Sequence, residues 1–141
     1  MSRIKELKTI SELSQAFLLA YKLYPQMKEA EFIEKVQEML KENYRILGAV
    51  EGEKIIAIVG YRVGLRLYCG KYLHIDNLIV AEDIRQKGLA SELIKHLKDL
   101  AKKHKCNTIL ADTQLANHKA QKLFLKNGFY MRGFHMKCDE F

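Results

Sequence analysis

Residues 80–94, VAEDIRQKGLASELI, run from a β-branched strand end through a charged loop straight into a helical pattern. A helix N-terminus exposes unpaired N–H groups and a partial positive charge, so it binds anions. Here Arg85 and Lys87 add full charges, Gly88 lets the main chain approach a ligand closely, and small Ala90 leaves room beside it. The chemistry this suggests is capture of a phosphate group at a strand-loop-helix junction. The run is neither GxxxxGK[ST] nor GxGxxG, which argues against P-loop nucleotide hydrolysis and dinucleotide binding. Taken alone, R-x-x-G-x-A also describes an ordinary loop with a glycine near a helix start. Just upstream, YLHIDNLIV holds His74 and Asp76, side chains able to take a proton from an amine directly or through a water. Each has a structural reading as well: Asp76 as a cap on local backbone, His74 as half-buried packing.

Those groups have to be held by the elements around them. Helical spacing of Leu13, Ala16, Phe17, Ala20, Tyr21 and Tyr24 predicts a helix over 10–24, interrupted by Pro25, and a second helix follows over 29–42. The period then changes. YRILGAV reads as a strand, EGEK as a turn, IIAIVGYRVGLRLY as a long strand bending at Gly60 or Gly64, and CGK as the turn into YLHIDNLIV. The clearest helix covers 86–105, with Leu89, Ala90, Leu93, Ile94, Leu97, Leu100 and Ala101 on one stripe. NTILADT is a short buried strand, a helix over 117–126 ends with Gly128 in the left-handed capping position, and FYMRGFHMKCDEF closes as two short strands or a bent hairpin. The order ααβββαβαββ makes residues 1–141 a single α/β (α+β) domain.

One strand changes phase. In YLHIDNLIV, Leu73 and Ile75 alternate, and so do Leu78 and Val80, but the two pairs are out of step by one residue. An extra residue at Asp76–Asn77, a β-bulge, restores a single apolar face. A strand buried on both sides would also tolerate the pattern, though Asp76 and Asn77 suit such a strand poorly.

Together, LIVAEDIRQKGLASELI, ILADT and NHKAQKLFLKNGF resemble the GCN5-related N-acetyltransferase (GNAT) family. Arg85, Gly88 and Ala90 match its pyrophosphate loop, R/Q-x-x-G-x-G/A, and Asn117, Ala120, Gly128 and Phe129 match its later N-x-x-A…G-F signature. The resemblance implies a GNAT-like mixed, mostly antiparallel sheet with flanking helices and a splayed central parallel strand pair, here 72–80 and 108–113. Acetyl-CoA, the acetyl donor, would wedge between them. Its pantetheine arm would pair with the main chain of Leu78, Ile79 and Val80. Its pyrophosphate would accept N–H bonds from Arg85, Gln86, Lys87, Gly88, Leu89 and Ala90, with Asn117 bonding near the pantetheine. The bulge would aim an N–H at the thioester carbonyl and stabilise the developing oxyanion, an effect of a few kcal/mol in comparable sites.

The implied activity is transfer of an acetyl group to a primary amine of a small molecule or peptide, directly, in a ternary complex. Where the family often has a tyrosine to protonate the leaving thiolate, this chain has Phe124. Phenylalanine donates no proton, so Tyr130 or a water substitutes, or the thiolate leaves unassisted; Phe124 then packs on the cofactor arm or the core. The missing hydroxyl also keeps in view a non-catalytic acyl-CoA-binding sensor or interaction module on the same fold. The first two helices and their connection, around residues 21–32, together with the C-terminal strands, would form the acceptor site. Glu29, Glu31 and Glu34 either attract a cationic amine there or form a solvated helix face.

Composition bounds the alternatives. At 141 residues, 48% hydrophobic and 29% charged, the chain is an ordinary globular domain. Its net charge of +7 suits an anionic partner such as nucleic acid or a polyphosphate cofactor, and equally a solvated lysine surface. No nucleic-acid recognition motif or aromatic stacking platform accompanies the charge. Cys69, Cys106 and Cys138 are odd in number and lack a CxxC pairing, as expected of free thiols. The histidines show no metal-ligand spacing, so no metal site is expected. MSRIKELKTISEL has no apolar core of signal-peptide length and nothing approaches a membrane span, so a cytoplasmic protein is expected. A homodimer is left open.

Overall fold

Thr9 opens the first helix with a reciprocal cap. Its hydroxyl accepts from the Glu12 N–H at 3.1 Å, while the Glu12 carboxylate accepts from the Thr9 and Lys8 N–H groups at 3.0 and 2.8 Å. The helix, α1, spans Ile10–Ala20. It stops a turn short of the predicted end because a proline withholds an N–H and pushes its predecessor out of helical geometry. Residues 21–23 instead form turns, and the Tyr24 N–H bonds the Ala20 carbonyl at 3.1 Å. Helix α2 follows at Glu29–Leu40.

The computed structural model describes residues 3–83 and 88–141, in two compact units, Met1–Ala111 and Asp112–Phe141. The first holds five strands in the order β1-β2-β3-β4-β5: Arg3–Glu6, Tyr44–Glu51, Lys54–Arg66, Gly70–Val80 and Thr108–Ala111. All neighbours are antiparallel except β4 and β5, which run parallel. This is the mixed, mostly antiparallel sheet with one parallel pair that the motifs imply, but the pair lies at the edge of the sheet and not at its centre, because β5 is the last strand in the order. Strand β1 is absent from the predicted order; four residues are too few to show a period.

Helices α1 and α2 bury Leu13, Ala16, Leu19, Ala20, Phe32 and Val36 against Tyr44, Ile46, Val50, Ile55, Ile58, Ile79 and Ala81 of the sheet. The third helix, α3, spans Leu89–Lys103 and buries Leu89, Leu93, Ile94, Leu97 and Ala101, packing on β3, β4 and β5. It starts at Leu89, the first residue of its apolar stripe and three residues after the expected start at 86; Gly88, at φ +72°, stands outside the helix. The long strand β3 runs unbroken from Lys54 to Arg66, and its glycines make room for neighbouring rings. A Cβ at Gly60 would collide with the Tyr44 phenol, and one at Gly64 with that of Tyr72.

In the second unit, α4 covers His118–Lys126. Gly128, at φ +90°, ends it: its N–H meets the Leu125 carbonyl at 3.2 Å and the Phe129 N–H meets the Phe124 carbonyl at 3.0 Å. The Phe124 and Phe129 rings pack edge-on, 5.1 Å between centroids, completing the helix stop. The two short strands or hairpin expected over 129–141 do not form. Alternation of Phe134, Met136 and Cys138 mimics a strand, but this unit contains no strand to receive its N–H and C=O groups.

Candidate active site

Strand β4 is where the sheet departs from regularity. Opposite it, β3 pairs Gly60 with Asp76 and Ile58 with Ile79, leaving Asn77 and Leu78 both facing Val59. That is the bulge, one residue further along than the phase change suggests. Asn77 takes φ +53°, the left-handed conformation that asparagine tolerates better than most residues. Ile79 and Ala81 join the α1/α2 core beyond it. Alternation therefore turns Leu78 and Val80 to the other face, in step with Leu73 and Ile75.

The parallel ladder to β5 breaks at the same place. Pairing runs from Tyr72–Thr108 to Ile75–Ala111 and stops, so β4 continues from Asp76 to Val80 with no β5 partner. The Ala81 N–H bonds the Ile56 carbonyl at 2.9 Å. Since successive residues of an antiparallel strand alternate edges, the main-chain groups of Val80 and Leu78 point to the edge that β5 leaves. Ile79 and Val80 are buried and Leu78 is half-buried.

His74 and Asp76, two residues apart, share the face that α1 and α2 cover. His74 Nδ1 lies 3.5 Å from Asp76 Oδ1, and Arg62 Nε lies 3.5 Å from Asp76 Oδ2. The Arg62 guanidinium also sits over the Tyr44 ring, 5.1 Å from its centroid. Tyr24, from the connection between α1 and α2, donates its hydroxyl to Asn77 Oδ1 at 2.5 Å. The Tyr44 hydroxyl hydrogen-bonds the Asn77 side chain as well. Burial pushes the Tyr44 phenol up to about 12, helped by the Asp76 carboxylate and opposed by the Asn77 bond and Arg62. Tyr24 is raised too, first by burial and then by Asp76. Both hydroxyls therefore keep their protons at neutral pH.

Sequence reasoning reached His74, Asp76 and the bulge but missed Tyr24, Tyr44 and Arg62. The only signal was Asn77 itself, a residue suited to left-handed backbone at a break in phase.

Past β4, α3 begins at Leu89 after Gly88, and among the described residues no side chain caps it and nothing lies within 4 Å of where a Gly88 Cβ would stand. Leu89 is buried and Ala90 half-buried. Arg85, Gln86 and Lys87 fall outside the described residues. In the second unit, Asn117 caps α4, its Oδ1 accepting from the Ala120 N–H at 3.1 Å. Phe124 is buried, while Tyr130 is exposed. Among the described residues, no group of three or more His, Cys, Asp or Glu could hold a metal ion, and no helix is long and apolar enough to cross a membrane.

The family model described as "Acetyltransferase (GNAT) family" matches residues 8–129. Glucosamine 6-phosphate N-acetyltransferase 1 of Dictyostelium discoideum is 30% identical over 112 residues, which are 75% of this chain and 69% of that protein. A transcriptional regulator from Bacillus halodurans superposes with a TM-score of 0.87 at 19% identity, covering 98% of this chain and 100% of the other. An aminoglycoside 6'-N-acetyltransferase from Acinetobacter haemolyticus superposes with a TM-score of 0.84 at 20% identity, covering 98% and 97%. At these identities the two solved structures show a shared fold.

Proposed function

Because the chain belongs to the GNAT acetyltransferase family, and so moves an acetyl group from acetyl-CoA to an amine, we propose that its acceptor is a primary amine of a small molecule or peptide. Donor and acceptor would be held together for direct transfer. The relative named for glucosamine 6-phosphate and the structural neighbour named for aminoglycosides make small amines the first to try. One observation carries the reading: the β4–β5 ladder ends where β4 bulges and where His74 and Asp76 stand.

When bound, acetyl-CoA supplies an acetyl group already activated as a thioester. Open left-handed backbone at Gly88 and the uncapped start of α3 suit its pyrophosphate, since main-chain N–H groups there can meet an anion unobstructed. We assign that contact to Gly88, Leu89 and Ala90, with Arg85, Gln86 and Lys87 completing the loop. The main chain of Leu78, Ile79 and Val80 would hold the pantetheine arm. An N–H at the bulge would face the charge that grows on the thioester oxygen.

His74 is assigned the proton from the amine. Asp76, held beside it and neutralised by Arg62, favours the imidazole tautomer protonated at Nδ1 and leaves Nε2 basic. Proximity of the two bound reactants supplies much of the remaining rate. Phe124 has no proton to give, so Tyr130 or a water would protonate the leaving thiolate, or it would leave unassisted. Three free thiols support a cytoplasmic setting.

The test is incubation with acetyl-CoA and an amine library, followed by mass spectrometry and thiol release. We expect acetylated product from at least one amine. His74→Ala and Asp76→Asn should lower kcat by on the order of a hundredfold with acetyl-CoA affinity nearly unchanged. Binding of acetyl-CoA without turnover on any amine would make the protein a sensor. Rates unchanged in both variants at every pH would remove the base assignment.

A further inference from the structure

We infer that Tyr24 and Tyr44 are positioning residues for acetyl transfer, acting through Asn77: their hydroxyls clamp its carboxamide and so fix the left-handed bulge that orients the thioester-facing N–H. This rests on the reading of the bulge given above and adds residues that no motif marks.

The bulge needs one residue at positive φ, and glycine would occupy it with least strain. This chain has Asn77 there instead, at φ +53°, with a side chain that can be gripped. Tyr24 grips it from the α1–α2 connection, 53 residues away in sequence, through a 2.5 Å bond. Tyr44 grips it from the start of β2. The Tyr44 ring is 1% exposed and passes over Gly60, where any Cβ would strike the phenol oxygen. Arg62 lies over the same ring and reaches Asp76, the neighbour of Asn77. Side chains from two other elements thus converge on one carboxamide across a strand whose glycine makes way for them.

Stability alone gives Tyr24 little reason to be there. Its side chain is 40% exposed, and a hydrogen bond at such a position contributes little to folding. What the bond does is join the α1–α2 connection to the bulge. The wall expected to receive the amine is thereby tied to the strand expected to polarise the thioester.

The experiment measures the carbonyl stretch of bound [1-13C]acetyl-CoA by isotope-edited infrared spectroscopy, with melting temperature and acetyl-CoA Kd recorded alongside. For the unaltered protein we expect the band to move to lower frequency than in free acetyl-CoA. Tyr24→Phe and Tyr44→Phe together should retain less than half of that displacement while acetyl-CoA Kd changes less than about threefold. Asn77→Gly keeps the backbone conformation without the clamp and should behave like the double variant. If both variants bind acetyl-CoA with the band of the unaltered protein, the positioning role is overturned and the proposed function stands. If the unaltered protein binds acetyl-CoA with no displacement at all, the bulge does not face the thioester and both readings fall.

Discussion

Gly88 stands at φ +72° with no described residue within 4 Å of where a side chain would begin, so the demands of the backbone and of a ligand can be separated there. Gly88→Ala forces an L-residue into left-handed backbone at about 1–2 kcal/mol. Gly88→Asn tolerates that conformation but places a side chain in the path of an approaching phosphate. We expect Gly88→Asn to melt near the unaltered protein yet bind acetyl-CoA about tenfold to a hundredfold more weakly, the cost of one lost bond to a charged group; calorimetry and thermal melting check the two halves. Tyr44 gives a second prediction. Its phenol ionises near 10 when unfolded and at about 12 when folded, so below pH 10 neither state is charged and stability is unaffected. Between pH 10 and 12 only the unfolded chain sheds the proton, and stability falls. Tyr44→Phe should flatten that alkaline decline in denaturant titrations. Gly88 could be read along the chain from its place before a helical stripe, whereas the tyrosine contacts could not, because Tyr24, Tyr44 and Asn77 meet only once the sheet is assembled.

Just past the end of helix α3, Lys105 stands at φ +58°, in the position where glycine is the usual residue. The Cys106 N–H on the Ala101 carbonyl at 2.8 Å and the Lys105 N–H on Lys102 at 3.0 Å hold it there. Lys105→Gly should therefore stabilise the protein by about 0.5–1 kcal/mol, read from a denaturant midpoint. Elements with many turns were the legible ones. The stripe of α3 repeats often enough to fix its buried face, and Gly128 marks the end of α4 by its own conformational freedom. The bulge was legible within one residue, since slipping the phase of Leu73 and Ile75 against Leu78 and Val80 has few other physical causes. Residues 129–141 misled because alternation reports an amphipathic pattern and says nothing about whether an edge is available to pair with. The end of α1 misled because Leu13–Tyr24 keep helical spacing while Pro25, a few residues on, cancels its last turn.

Across the first unit, the sheet separates the tasks. One face, under α1 and α2, carries His74, Asp76, Arg62, Tyr24 and Tyr44; α3 carries the terminus proposed to receive the pyrophosphate; the edge of β4 between them is the one proposed to take the arm that links the two. That edge has a cost before anything binds it. From Asp76 to Val80, one side of β4 shows amide and carbonyl groups that β5 does not match, and an unmatched strand edge recruits strands from other molecules. The coenzyme would then work as a stopper against self-association as well as a reactant. Coenzyme A should delay the rise in light scattering on gentle warming. Adenosine 3',5'-bisphosphate, which has the nucleotide but not the peptide-like arm, should delay it far less.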